Sequence, residues 1–319
     1  FWMQLIVTSC KKMKVYHVDD SQNWDTIIDK YREALLNEDY ILSNDIQELL
    51  GRGAVMSFRS GIVARRTSFK EDVINFIEVP ETDEYVINGG KVFTTNSGFA
   101  DYCTVFAFTD KTQGTRGMSC FVVDLHQEGV TVSQNIKRMG IRAAQNCEVT
   151  YENVRVPAFN RIGKEGQGFK IAMKALDGGR IGIAAQSVGL AQGAINEAMA
   201  YVKERKQFGR PLSAFQTTQF KLADMQTKVD AARLLTWRAA LCKDNGESYS
   251  KEAAMAKLFA SDVANQVCRE AVQLMGGYGY CREYPVERAL RDAKITEIYE
   301  GTSEVMKMVI SGAMKVNAK

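Results

Sequence analysis

Four short stretches of the sequence combine residue types that could do chemistry. Ile298-Tyr299-Glu300-Gly301-Thr302-Ser303-Glu304 sets a carboxylate against a glycine hinge between two segments of helical pattern. Gly301 lacks a Cβ, so the backbone there can bend or approach a ligand, while Thr302 and Ser303 are natural caps for a helix from Val305 to Met314. A carboxylate so placed can face a pocket, or the heptad is a helix-breaking turn with a solvated Glu. Arg205-Lys206-Gln207-Phe208-Gly209-Arg210-Pro211 offers an anion or phosphate contact through Arg205, with Phe208 flanking a planar ring; the plainer alternative is a basic helix C-terminus followed by a turn. Gln273-Leu274-Met275-Gly276-Gly277 is a glycine cap whose bare backbone could lie against a diphosphate or adenine. Asp177-Gly178-Gly179-Arg180 is a surface ion pair within one helical turn, or a charged clamp at the mouth of a pocket.

Composition narrows the partners. At 319 residues, 45% apolar and 25% charged, the chain can bury a sizeable core and has room for two domains. A formal charge of +3 and no dense Lys/Arg stripe with interleaved aromatics argue against nucleic acid. Seven cysteines lie scattered without C-x-x-C spacing, which suits a reducing compartment. With only His17 and His126, and no carboxylate cluster at ligand spacing, the composition points away from a zinc or di-iron site, so chemistry here would use an organic cofactor or none. No apolar run approaches the length of a membrane span. The start at Phe1 fits either a removed targeting peptide or a fragment.

The elements that must position these residues follow from periodicity. Residues 1–53 have room for two short amphipathic helices, Trp24 to Leu36 and Leu42 to Leu50. Residues 54–160 change to a period of two, with strands expected at 73–77, 85–87, 91–95, 102–108, 117–123 and 147–151, and Asn88-Gly89-Gly90 as a tight hairpin turn. This predicts a middle antiparallel β domain. Residues 161–319 read as helical: 169–205 with a small-residue face, 214–244 ended by Asn245-Gly246, 250–275 capped by Ser250, about 285–295 opened by Pro285, and a fifth after the heptad. Four long antiparallel helices with short joins predict a bundle, so the fold class is an α+β multidomain chain with a reduced helical N-terminus.

Taken together and in order, these stretches resemble the acyl-CoA dehydrogenase family, nearest to its short-chain, butyryl-CoA-type members. The matching stretches are Asn88-Gly89, Phe93-Thr94-Thr95-Asn96, Met139-Gly140-Ile141-Arg142, Asp177 to Arg180, Arg205 to Gly209, Gln273 to Gly277, Tyr284-Pro285-Val286-Glu287-Arg288, Arg291-Asp292-Ala293-Lys294 and Ile298 to Glu304. The resemblance implies a C-terminal four-helix bundle after the β domain, FAD as cofactor, an acyl-CoA substrate, an electron-transfer flavoprotein as acceptor, and a homotetramer built as a dimer of dimers. It implies Glu300 as the catalytic base and Asp177, Gly178, Gly179, Arg180 and Gly301 on the substrate side. Phe93, Thr94 and Thr95 fall on flavin-ring positions. Arg205, Phe208, Gln216, Gln273, Leu274, Met275, Gly276, Gly277, Thr302, Ser303 and Glu304 fall on positions that hold FAD, some of them in a neighbouring subunit. The chemistry is coherent: the α-proton of a thioester is too weakly acidic for a solvated carboxylate, so the base must be desolvated and the enolate stabilised, while the β-hydrogen leaves as hydride. The resemblance implies the mitochondrial matrix in a eukaryote and the cytoplasm in a bacterium.

Upstream of about Val73 the family pattern is absent. Ser57 to Ser68 stands where the family carries a Gly/Ser-rich flavin loop, and residues 1–52 are short for the family's helical domain. That supports a second reading, a degenerate homologue serving as a structural subunit of a larger assembly.

Overall fold

The structure, a computed structural model, describes residues 84–316. The helices expected within 1–53, the segment 57–68 and the strand expected at 73–77 lie outside the described residues. The described chain divides into two compact units: residues 84–136 with 144–175, and residues 137–143 with 176–316.

The first unit is built of two three-stranded sheets. In one, β1 (Glu84–Thr95) and β4 (Val130–Val132) flank β5 (Asn146–Pro157). In the other, β2 (Tyr102–Phe108) and β6 (Arg161–Ile162) flank β3 (Met118–Asp124). Val149, Tyr151, Val154 and Val156 from the first sheet share a buried cluster with Cys103, Val105, Phe121 and Val123 from the second, so the sheets form a sandwich. Each such side chain contributes roughly 1.5–3 kcal/mol by leaving water.

The hairpin expected at Asn88-Gly89-Gly90 does not form; β1 is one continuous strand paired along its length with β5. Instead the Asn-Gly pair serves a bulge. Ile87 pairs with Val154 and Gly89 with Tyr151, leaving two residues of β5 against Asn88. Gly89 at φ 141° and Asn153 at φ 53° absorb the extra residue, and the Asn153 N–H donates to the Asn88 side-chain oxygen at 2.8 Å. A second shift between Lys91 and Thr94 puts the extra residue on β1, where Phe93 takes φ 58°. Strands β4 and β6, of three and two residues, were too short for periodicity to show.

The second unit is helical. The long helices are α1 (Gly168–Glu204, whose first turns belong to the first unit), α2 (Gln216–Asp244) and α3 (Ser250–Met275); α4 (Val286–Lys294) and α5 (Ser303–Ala313) are short. Helices α1 to α4 share one core whose seams are largely alanine, among them Ala184, Ala191, Ala198, Ala232, Ala260 and Ala264. Side chains this small let helix axes approach closely. Where a turn was expected after α1, the chain makes a two-stranded hairpin of β7 (Lys206–Gln207) and β8 (Arg210–Pro211). Ser250 does not cap α3, whose cap position is Tyr249. Residues 137–143 are strapped to α4: the Ile141 N–H donates to Asp292 Oδ1 at 2.6 Å, Arg291 Nη1 donates to the Met139 carbonyl at 3.0 Å, and a Cβ on Gly140 would strike the Arg291 carbonyl.

Candidate functional site

Glu300 lies in the turn between α4 and α5 and is one of the few non-glycine residues with positive φ, 56°; Gly301 follows at 97°. A side chain in the left-handed region costs about 1–3 kcal/mol and persists only where its surroundings over-determine it. Here they do. Arg180 Nε on α1 donates to the Glu300 carbonyl at 3.3 Å, and Lys257 Nζ on α3 donates to the Gly301 carbonyl at 2.7 Å. The Tyr299 hydroxyl donates to the Gln186 side chain. Thr302 starts α5 by accepting the Val305 N–H on its hydroxyl at 3.3 Å, as its residue type predicted. The Glu304 carboxyl, bonded by its own backbone N–H and by the Thr302 hydroxyl, is held below the usual carboxylate range. A Cβ on Gly301 would come within 2.7 Å of the Met306 methyl, which fixes glycine here by space as well as by φ.

The Glu300 carboxylate lies on bare backbone. A Cβ built on Gly179 would stand 2.7 Å from Glu300 Oε2, so the glycine of the Asp177 to Arg180 stretch opens the seat the carboxylate occupies. Arg180 pairs with Asp177 at 2.6 Å, and the two side chains are only 5% and 18% exposed. The ion pair within one turn is therefore real but buried, against the surface placement of the plainer alternative. The Ser250 hydroxyl donates to the same Asp177 oxygen at 3.1 Å. Burial pulls the Lys257 ammonium down to about 8, with Arg180 acting in the same direction and Glu297, Glu300 and Glu304 opposing.

The other expected residues fall in separate places. Arg205 and Gln273 to Gly277 line one cavity of about 560 Å³ together with Tyr201, Tyr278 and Cys281. The Arg205 guanidinium lies 5.7 Å from the centre of the Tyr278 ring. Gly276 at φ 61° ends α3, and a Cβ added at Gly276 or Gly277 would meet nothing within 4 Å, so the cavity face there is open backbone. A guanidinium, aromatic rings and open peptide backbone are a donor set that suits a diphosphate bearing a planar base. Phe208, at φ 52° and 89% exposed, forms the tip of the β7–β8 hairpin, packed edge-on to Phe215. Gln216 is the first residue of α2. In the β unit, Phe93 stands exposed at the second bulge, with Thr94 and Thr95 half-buried beside it; the Thr94 carbonyl accepts the Ser97 hydroxyl at 2.8 Å.

Sequence reasoning missed Lys257, Gln186 and the role of Ser250. For Lys257 a signal was present, since it lies at the spacing of the buried positions Ala253, Ala260 and Ala264. Among the described residues no group of three or more His, Cys, Asp or Glu could hold a metal, and no helix is long and apolar enough to cross a membrane.

Residues 72–154 match the acyl-CoA dehydrogenase middle domain and residues 166–315 the acyl-CoA dehydrogenase C-terminal domain. The short-chain specific acyl-CoA dehydrogenase of Clostridium acetobutylicum is 56% identical over 236 residues, covering 74% of this chain and 62% of that protein. The caffeyl-CoA reductase-Etf complex subunit CarC of Acetobacterium woodii is 49% identical over 232 residues, covering 73% and 61%. The structure of butyryl-CoA dehydrogenase from Megasphaera elsdenii aligns with a TM-score of 0.72 at 51% identity, covering 74% of this chain and 61% of that one. The chain thus spans about three fifths of the length of these relatives.

Proposed function

The chain belongs to the acyl-CoA dehydrogenase family, and from that premise we propose that it carries out the FAD-dependent α,β-dehydrogenation of a short-chain acyl-CoA thioester. The observation that carries this reading is Glu300, a carboxylate set in a left-handed turn by two buried cations and seated on the bare backbone of Gly179. A base fixed in this way has lost little freedom still to be frozen out when the substrate arrives, which is where positioning lowers a barrier. In this reading Glu300 takes the α-proton, and Asp177, Gly178, Gly179, Arg180 and Gly301 shape the acyl side. FAD, when bound, accepts the β-hydrogen as hydride. Arg205, Phe208, Gln216, Gln273, Leu274, Met275, Gly276 and Gly277 would hold it, with Thr302, Ser303 and Glu304, while Phe93, Thr94 and Thr95 would meet the flavin ring. In the opposite direction Glu300 returns the proton, as microscopic reversibility requires, which suits a family with reductase-named relatives.

An electron-transfer flavoprotein as redox partner and a dimer of dimers complete the proposal. The setting is the mitochondrial matrix if the source is eukaryotic and the cytoplasm if it is bacterial. The test is colour. Purified protein should carry a flavin band that bleaches with butyryl-CoA, and Glu300→Gln should keep the band and lose bleaching by at least about 10²–10⁴-fold. Retained bleaching removes Glu300 as the base. Colourless protein that takes up no FAD favours a structural subunit instead.

A further inference from the structure

The reaction as proposed leaves one buried cation unused. Lys257 projects from the core face of α3 and is completely buried, and its ammonium donates to a backbone carbonyl, that of Gly301, at 2.7 Å. A buried charge must recover its lost hydration from the groups around it, and a peptide carbonyl is a poorer counterpart than a contacting carboxylate. The charged groups facing Lys257 are Glu297 in the turn after α4, Arg180 on α1, Glu300 itself and Glu304 at the start of α5. Arg180 holds the carbonyl one residue earlier. Two cations from two different helices therefore grip consecutive carbonyls, one on each side of Gly301, at the point where the chain runs left-handed. Freed of either grip, residues 300 and 301 would relax toward an ordinary turn, and the Glu300 carboxylate would swing away from Gly179.

We propose that Lys257 is a positioning residue for Glu300: by holding the Gly301 carbonyl it fixes the left-handed turn and so sets where the carboxylate stands. The proposal rests on Glu300 being the base. A displacement of about 1 Å at a reacting group costs about 10²-fold in rate, which sets the expected size of the effect.

Lys257→Met keeps the length and the apolar stem but removes donor and charge. It is compared with wild type and with Glu300→Gln by stopped-flow reduction of bound flavin at saturating butyryl-CoA, normalised to FAD content, beside the affinity for a butyryl-CoA thioether that lacks the acidic α-proton. The expected result for Lys257→Met is FAD content and thioether affinity close to wild type, with a saturating reduction rate lower by about 10²-fold. A residue that only stabilised the fold would lower FAD content and melting temperature and leave the normalised rate alone, so an unchanged normalised rate overturns the proposal. Should Lys257→Met fail to fold, Lys257→Gln decides: its shorter side chain keeps a polar end but falls short of the Gly301 carbonyl, and a wild-type normalised reduction rate in that variant overturns the proposal. Glu300→Gln that still reduces flavin refutes the base assignment; a wild-type rate in Lys257→Met beside an inactive Glu300→Gln refutes only the role of Lys257.

Discussion

Gly179 and Gly301 both lie against the Glu300 turn, yet their glycines answer different demands. Gly179 sits inside α1, where alanine is the better helix former by about 1 kcal/mol, and its missing Cβ makes room only for the end of a flexible side chain, Glu300 Oε2. Gly179→Ala should therefore leave the melting temperature unchanged or raised while flavin reduction falls by about tenfold or more as the carboxylate is pushed aside. Gly301→Ala, at φ 97°, should instead unfold the turn at a cost of about 1–3 kcal/mol, visible as a lower melting temperature. Paired thermal melts and single-turnover reduction separate the two, and a normal rate in Gly179→Ala would show that the carboxylate works from elsewhere. The glycine hinge beside Glu300 was legible because glycine announces itself. The grip on that hinge was not, because Arg180 and Lys257 lie 120 and 44 residues away in sequence and only the fold brings them to consecutive carbonyls.

Asn88-Gly89 shows how a local signal can be right about backbone and wrong about topology, while the 137–143 strap is held by partners far along the chain. Asn-Gly does mark unusual dihedrals, but with β5 available as a partner along the whole of β1 they are used in a bulge rather than a reversal. The long helices were legible to within two residues because their apolar spacing repeats over many turns, whereas β4 and β6 take their pairing from long-range partners. The strap itself depends on the pair between Glu287 and Arg291, which is bidentate at 2.7 and 2.8 Å and orients Arg291 toward the Met139 carbonyl. The Arg291 hydrogen bonds hold the Glu287 carboxyl below its ordinary value of 4.5. A carboxyl depressed by folding adds stability that is present above its unfolded pKa and lost as pH falls through the folded one. Glu287→Gln should thus be less stable than wild type by up to about 1 kcal/mol at neutral pH, and the gap should close on acidification below about 4.5. Denaturant titrations stepped downward from pH about 7 through the acid range follow the gap as it closes; a gap that widens in acid would show that the pair does not act through charge.

At the scale of the molecule, the change from a period of two to helical spacing made the β-then-helical architecture legible, and the described elements follow that order. What no stretch revealed is the outer face of α2, where Phe220, Leu234, Trp237 and Leu241 stand at helical spacing and remain 58–63% exposed. Apolar side chains so displayed fit the proposed homo-oligomer. Introducing Leu234→Glu with Leu241→Glu should yield a smaller species by light scattering, with the helical circular dichroism of the parent; an unchanged mass would remove α2 from the assembly surface. The alanine seams between the helices carry a different consequence, concerning which inherited variants do harm. An alanine has a single methyl to lose, about 0.8 kcal/mol, while each added methylene forces neighbours off their rotamers at about 1–3 kcal/mol. Deleterious alleles in the helical half should accordingly be enlargements, Ala→Val or bigger, at positions such as Ala191, Ala198 and Ala264. In the β half, where Phe121, Tyr151 and the valines fill the space, the damaging alleles should be truncations.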